Sequence, residues 1–207
     1  MSDEKRPYKL RARAKAQEET RRKIVEATMQ LHEEIGPRAT TISAIADRAG
    51  VQRLTVYRHF PDETAVFQAC TSHWLSLNPP PDPAEWSAIS DPATRFRCAV
   101  AHFYGYYSGT RRMWLVSYRD IDHVPALQQP MSEVASFMDE VAGGLISAYE
   151  DKRDDPLVAA TVRHALHFLT WNELEEQGLP NVEKVTLALA WLDGALTGSR
   201  VPPSATG

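Results

Sequence analysis

The chain has 207 residues, 43% of them hydrophobic, and carries 23 Lys and Arg against 27 Asp and Glu for a formal net charge of -4. That length fills one good-sized domain, or a small domain joined to a larger one, without disulfide staples. The two cysteines, Cys70 and Cys98, lie in apolar periodic segments without metal-ligand spacing, and no apolar run approaches the ~18 residues of a membrane span, so a reduced cytoplasmic protein with no membrane partner is expected.

The overall charge hides a split. Residues 1–60 hold 13 Lys and Arg against 8 Asp and Glu, net +5, whereas residues 61–207 hold 10 against 19, net -9. A polyanion is therefore a partner for the first part only, the alternative being a solvated basic tail on an acidic protein.

Residues 1–16 alternate Lys and Arg with small residues and show no apolar face, which predicts a basic flexible arm. From Gln17 the pattern changes: Ile24, Ala27, Thr28, Leu31 and Ile35 share one helical face, and Gly36-Pro37 ends the segment. Thr41 is placed to cap a short helix that turns Ile42, Ile45, Ala46 and Ala49 inward and stops at Gly50. Val51 leads into a second short helix anchored by Val56 and Phe60. Pro61 and Asp62 then open a further helix bearing Val66, Ala69, Cys70, His73 and Leu77. Two short helices around a glycine turn, the first apolar on one side and the second mostly polar, describe a helix-turn-helix, a unit whose second helix fits the DNA major groove.

"NPPPDPAEWSAISDP" is the clear break in the chain, holding five of the 14 prolines. Beyond it Phe96, Val100, Phe103, Tyr104 and Tyr107 form an aromatic face at helical spacing, "RRMWLVSYRDI" reads as the next helical piece, and Val134, Phe137, Met138, Val141 and Leu145 face inward from a helix over 131–149. The last two segments are apolar on two faces. Val158, Val162, Ala165, Leu166 and Leu169 make one stripe and Leu157, Phe168 and Trp171 another; Val185, Leu189, Leu192 and Leu196 are followed by Leu187, Trp191 and Ala195 in the same way. A doubly apolar helix needs two partners, either both within the chain or one of them in a second copy, the latter predicting a dimer interface at Leu157, Phe168, Trp171, Leu187 and Trp191. Strand-like alternation is almost absent, so the fold class is all-α.

The stretch "TISAIADRAGVQRLTVYRHFPDE" resembles the N-terminal signature of the TetR family of bacterial transcriptional regulators, in its Thr-led helix, its "IA" and "AGV", and its aromatic "YRHF" before a proline. The resemblance covers about Ile24 to Val66. It implies an all-α homodimer: a helix-turn-helix domain over 17–62, a ligand-binding and dimerisation domain over 63–207, a palindromic double-stranded operator and release from it by a small-molecule inducer. Activation, or regulation without an inducer, fits the same residues. By position, the resemblance gives Gln52, Arg53, Leu54 and Arg58 to base edges, with Arg53 and Arg58 suited to guanine and Leu54 to a thymine methyl. It gives Thr55, Tyr57, His59 and Ser43 to phosphate oxygens. Lys9, Arg11, Arg13 and Lys15 are candidates for a backbone-tracking arm. One departure is acidic: Asp62 and Glu63 stand where the family usually offers a phosphate-directed lysine, and the arm and Arg48 are expected to compensate.

Trp74, Phe103, Tyr104, Tyr107, Trp114, Tyr118 and Phe137 belong to a dense aromatic set that suits either a pocket for flat or greasy ligands or an ordinary core. No phosphate loop, nucleophile elbow or metal-ligand spacing is visible, so neither enzyme chemistry nor a metal or cofactor is expected. An all-α enzyme is the rival of a different class.

Overall fold

The structure is a computed structural model that describes residues 5–198, with side chains from residue 11 onward. The first four residues of the expected arm, and the Lys9 side chain, lie outside them. All regular elements among the described residues are helical: α1 (Lys5–Ile35), α2 (Ile42–Ala49), α3 (Arg53–His59), α4 (Glu63–Leu77), α5 (Ala84–Ser87), α6 (Pro92–Asp120), α7 (Pro125–Ile146), α8 (Pro156–Leu166), α9 (Phe168–Glu176) and α10 (Asn181–Thr197), with short 3-10 turns at Pro37–Ala39 and Glu150–Lys152. No helix among them is long and apolar enough to cross a membrane.

The helices form two compact units that do not follow a simple cut in the chain. Residues 5–79 join Arg112–Met131 in the first, and Pro80–Arg111 join residues 132–198 in the second. In the first, Ile24, Val25 and Leu31 of α1, Ile42, Ile45 and Ala46 of α2, Val56 and Phe60 of the α3 region and Val66 of α4 make one core. Asp120 adds a buried polar clasp. Its carboxylate accepts the Arg38 backbone N–H at 3.0 Å and two N–H groups of Arg119 at 2.7 and 2.9 Å, while Arg119 also donates to the Ile35 carbonyl at 3.0 Å. Arg119 holds the Asp120 carboxyl below its ordinary value, working against burial. Gly36 sits against this clasp at φ 90°, where a side chain is both strained and in collision with the Arg119 guanidinium and the Asp120 carboxylate.

Four boundaries differ from expectation, one of them being the helix expected over 131–149, which as α7 starts at Pro125, runs through Pro130 and ends at Ile146. Residues 5–16 continue α1 instead of forming a separate arm, because Lys, Arg, Ala and Leu, which make up most of the segment, are strong helix formers that need no apolar face. The aromatic segment and "RRMWLVSYRDI" are one helix, α6, which runs unbroken through Gly105 and Gly109. The segment read as a single helix from Pro156 breaks at His167, whose φ of -74° and ψ of 134° are extended. The carbonyls beside that break are met from elsewhere in the second unit: the Tyr104 hydroxyl donates to Ala165 O at 2.9 Å and the Tyr107 hydroxyl to Leu166 O at 2.8 Å. Burial pushes the Tyr104 phenol well above its ordinary value, so it stays a donor.

Candidate nucleic-acid interface

The helix-turn-helix is built from local signals. Thr41 caps α2, its hydroxyl accepting the Ala44 N–H at 3.2 Å. Gly50 closes α2 in the left-handed region at φ 67°, and Val51 N donates to Ala46 O at 2.9 Å, which reverses the chain in two residues. Helix α3 then buries Val56 alone against α2, with Phe60 sealing its end and Arg21 of α1 lying 4.9 Å over the Phe60 ring.

This arrangement leaves one face of α3 in solvent. Gln52, Arg53, Leu54, Tyr57 and Arg58 are exposed, Thr55 and His59 half-buried. Leu54 is 76% exposed, an apolar side chain with nothing to cover it. Among the described residues neither Arg53 nor Arg58 has a carboxylate partner, while Arg22, Arg48, Arg111, Arg119 and Arg163 are all paired. Two free guanidiniums and a bare leucine on one short helix form a surface suited to phosphate and base edges. Ser43 is half-buried in the first turn of α2. His59 has its pKa lowered, first by burial and then by the charges of Arg58 and Arg21, so at neutral pH it offers an N–H donor rather than a positive charge.

One expectation about charge meets a correction. Arg48 is not free to compensate for Asp62 and Glu63, because its guanidinium is held by Glu34 in two hydrogen bonds of 2.9 and 2.7 Å. Asp62 itself serves the fold as the N-cap of α4, its carboxylate accepting the Ala65 N–H at 2.8 Å. Arg11, Arg13 and Lys15 lie exposed along α1.

The aromatic residues expected to line a pocket divide between the units. Trp74, Trp114 and Tyr118 lie in the first, where Trp74 Nε1 donates to Glu33 at 3.3 Å and Trp114 and Tyr118 stand 6.1 Å apart. Phe103, Tyr104, Tyr107 and Phe137 lie in the second, where they meet two residues expected at the dimer interface. Tyr107 stands 5.4 Å from Phe168 and 5.8 Å from Trp171. Phe168 and Trp171 are 1% and 0% exposed, so the assignment of these two to a surface shared with a second copy is overturned. The extended residue at His167 resets the helical phase, and the second stripe therefore turns inward after it. Trp171 is held there by an Nε1 bond to Asn181 at 3.0 Å and by the Lys184 ammonium 4.8 Å over its ring, with Lys184 also bonded to Glu175. Leu157 stays exposed, and Leu187 and Trp191 are half-covered. Leu169 and Val182, not assigned to that interface, are exposed as well, Val182 by 74%.

Residues 24–70 match the model of a family described as bacterial regulatory proteins, tetR family. The chain matches no curated protein. Solved structures share its fold: a TetR-like transcriptional regulator from Rhodococcus sp. RHA1 has a TM-score of 0.61 and 19% identity, covering 87% of this chain and 97% of that one. A transcriptional regulator from Pseudomonas aeruginosa PAO1 gives 0.65 and 16%, covering 87% and 92%. The regulator FadR of Bacillus subtilis, solved in complex with stearoyl-CoA, gives 0.57 and 15%, covering 86% and 98%.

Proposed function

We propose that this chain, whose residues 24–70 carry the DNA-binding domain of the tetR family, is a homodimeric transcriptional repressor that leaves a palindromic operator when a small molecule binds. The observation that carries the reading is the exposed face of α3, where Arg53 and Arg58 have no acidic partner and Leu54 stands bare. Arg53 and Arg58 read guanine through bidentate contacts, Leu54 meets a thymine methyl and Gln52 adds a further base edge. Ser43, Thr55, Tyr57 and His59 fix the register on phosphate oxygens, and Arg11, Arg13 and Lys15 extend the basic surface along α1.

Dimerisation uses the exposed side of α8 and α10, with Leu157 and Val182 exposed and Leu187 and Trp191 partly covered. An isologous contact there sets two α3 helices about 34 Å apart, one DNA turn, and an inducer shifts the population toward a different spacing. The fold shared with a FadR that holds stearoyl-CoA makes a long-chain acyl-CoA the first inducer to try.

Titration of the protein into labelled duplex from upstream of its own gene, against a scrambled duplex and at several salt concentrations, tests this. Tight binding to the first alone, two protomers per site and a steep salt slope are expected. Weak and equal binding to both, repeated across a randomised duplex library, would overturn the reading.

A further inference from the structure

Three cations follow one another on α1, and they are used differently. Arg22 is paired with Glu19 at 3.0 Å and with Glu26 at 2.6 Å, and the Lys23 ammonium stands 3.8 Å from Glu19. Arg21 is directed elsewhere: its guanidinium lies 4.9 Å over the ring of Phe60, the residue that closes α3. Arg21 is exposed, and among the described residues it donates to no carboxylate and no carbonyl. A guanidinium carries five N–H donors in one plane. Laid over a ring, it is held in place with those donors unspent.

The groups around it are basic. Arg58 and His59 form the last turn of α3. Burial, then the charges of Arg58 and Arg21, lower the His59 pKa, while the Glu18 carboxylate, one turn before Arg21 on α1, works against them. Arg21, Arg58 and His59 thus gather donors from two helices at one end of α3, with Glu18 the opposing charge. Two plainer roles for Arg21 explain less. A cation near the C-terminus of α3 suits the helix dipole, but Arg58 and His59 already supply that. A lid over the Phe60 ring uses the face of the guanidinium and leaves its edge, where the donors lie, without a purpose.

We propose that Arg21, acting from α1, joins His59 in holding one backbone phosphate of the duplex that α3 reads, with the Phe60 ring as the plate that fixes the guanidinium. Arg21 donates through the edge of its guanidinium and His59 through a ring N–H, so the contact is charge-assisted and blind to sequence. Glu18 opposes the anion and limits the strength of the site. The inference rests on the DNA-binding reading and adds to it a residue that precedes the span 24–70 matched to the family.

The test measures the affinity of the full chain for the upstream duplex and its scrambled counterpart between 50 and 200 mM salt, with melting temperatures alongside. Arg21→Gln should weaken binding to both duplexes about tenfold at 50 mM, shrinking to about threefold at 200 mM, because one lost phosphate contact makes the log–log salt slope shallower by about 0.9. Arg21→Lys keeps the charge and should keep the slope while losing part of the affinity. Arg22→Gln makes the same change in net charge one residue further on, at a side chain spent on Glu19 and Glu26, and should leave the slope unchanged. A lid alone would lower the melting temperature of Arg21→Gln without touching its slope. A wild-type slope in Arg21→Gln, or an equal shift in Arg22→Gln, overturns the phosphate contact and leaves the DNA-binding reading standing; a wild-type chain with no salt-dependent binding to any duplex removes both.

Discussion

Acid should weaken this fold in a window set by one histidine. His32 of α1 is 5% exposed, its ring 4.9 Å from that of Phe67 and its Nδ1 3.7 Å from the Cys70 sulfur. Burial pushes its pKa down to about 4, and the nearby Asp120 charge offsets only part of that. The folded chain therefore binds this proton more weakly than the unfolded chain, whose histidine titrates near 6.5. Above pH 6.5 neither state is protonated and the group contributes nothing. Between about 6.5 and 4 only the unfolded state takes up the proton, so stability falls as pH falls, by up to about 1.4 kcal/mol per pH unit and about 3 kcal/mol across the window. Urea unfolding of the wild type and of His32→Met, which keeps the volume and removes the titration, checks this at half-unit steps from pH 7.5 to 4. The gap between the two proteins should swing by about 3 kcal/mol toward the variant. Carboxylates common to both cancel in that difference. Parallel curves through the whole window would refute the claim that a buried neutral imidazole sits beneath the helix-turn-helix.

Four further outcomes are expected. Arg53→Ala should lose about 1–3 kcal/mol on the cognate duplex and relax preference at one base pair, while Thr55→Ala should weaken cognate and scrambled duplexes alike; equal losses for Arg53→Ala on both would remove it from base reading. Asp62→Asn keeps a capping oxygen and deletes a charge, so thermal stability should hold while affinity for every duplex rises and its salt slope steepens. Tyr107→Phe strands the Leu166 carbonyl at the helix break and should cost about 1–3 kcal/mol in urea unfolding. Gly36→Ala should lower the melting temperature by several degrees, since the φ of 90° and the Asp120 clasp both exclude a side chain.

The helix-turn-helix is legible in the sequence because each of its turns is set by residues next to it. Thr41, Gly50 and Asp62 act within three or four residues of where they stand, and the apolar spacing of Ile42, Ile45 and Ala46 names its own buried face. The exposed residues of α3 follow from that spacing. The pairing of Arg48 is not legible, because its partner, Glu34, lies fourteen residues away on another helix and no local pattern marks such a pair. The basic segment before Gln17 misleads in the opposite sense, since its periodicity is absent while its helix propensity is high. In the C-terminal part the stripe through Phe168 and Trp171 is real, yet its direction depends on a break that neither Gly nor Pro announces.

That break at His167 makes residues 156–176 a conditional structure. Read by themselves they favour one uninterrupted helix, and the two-helix form exists because hydroxyls some sixty positions earlier in the chain take up the loose carbonyls. The segment is thus locally frustrated and resolved only by the completed domain. A ribosome releasing this protein has α6 already out when Pro156 emerges, so the straight helix and the broken one compete while the C-terminal region is being made. A synthetic peptide of the segment should fold, where it folds at all, as the helix that the whole protein forbids.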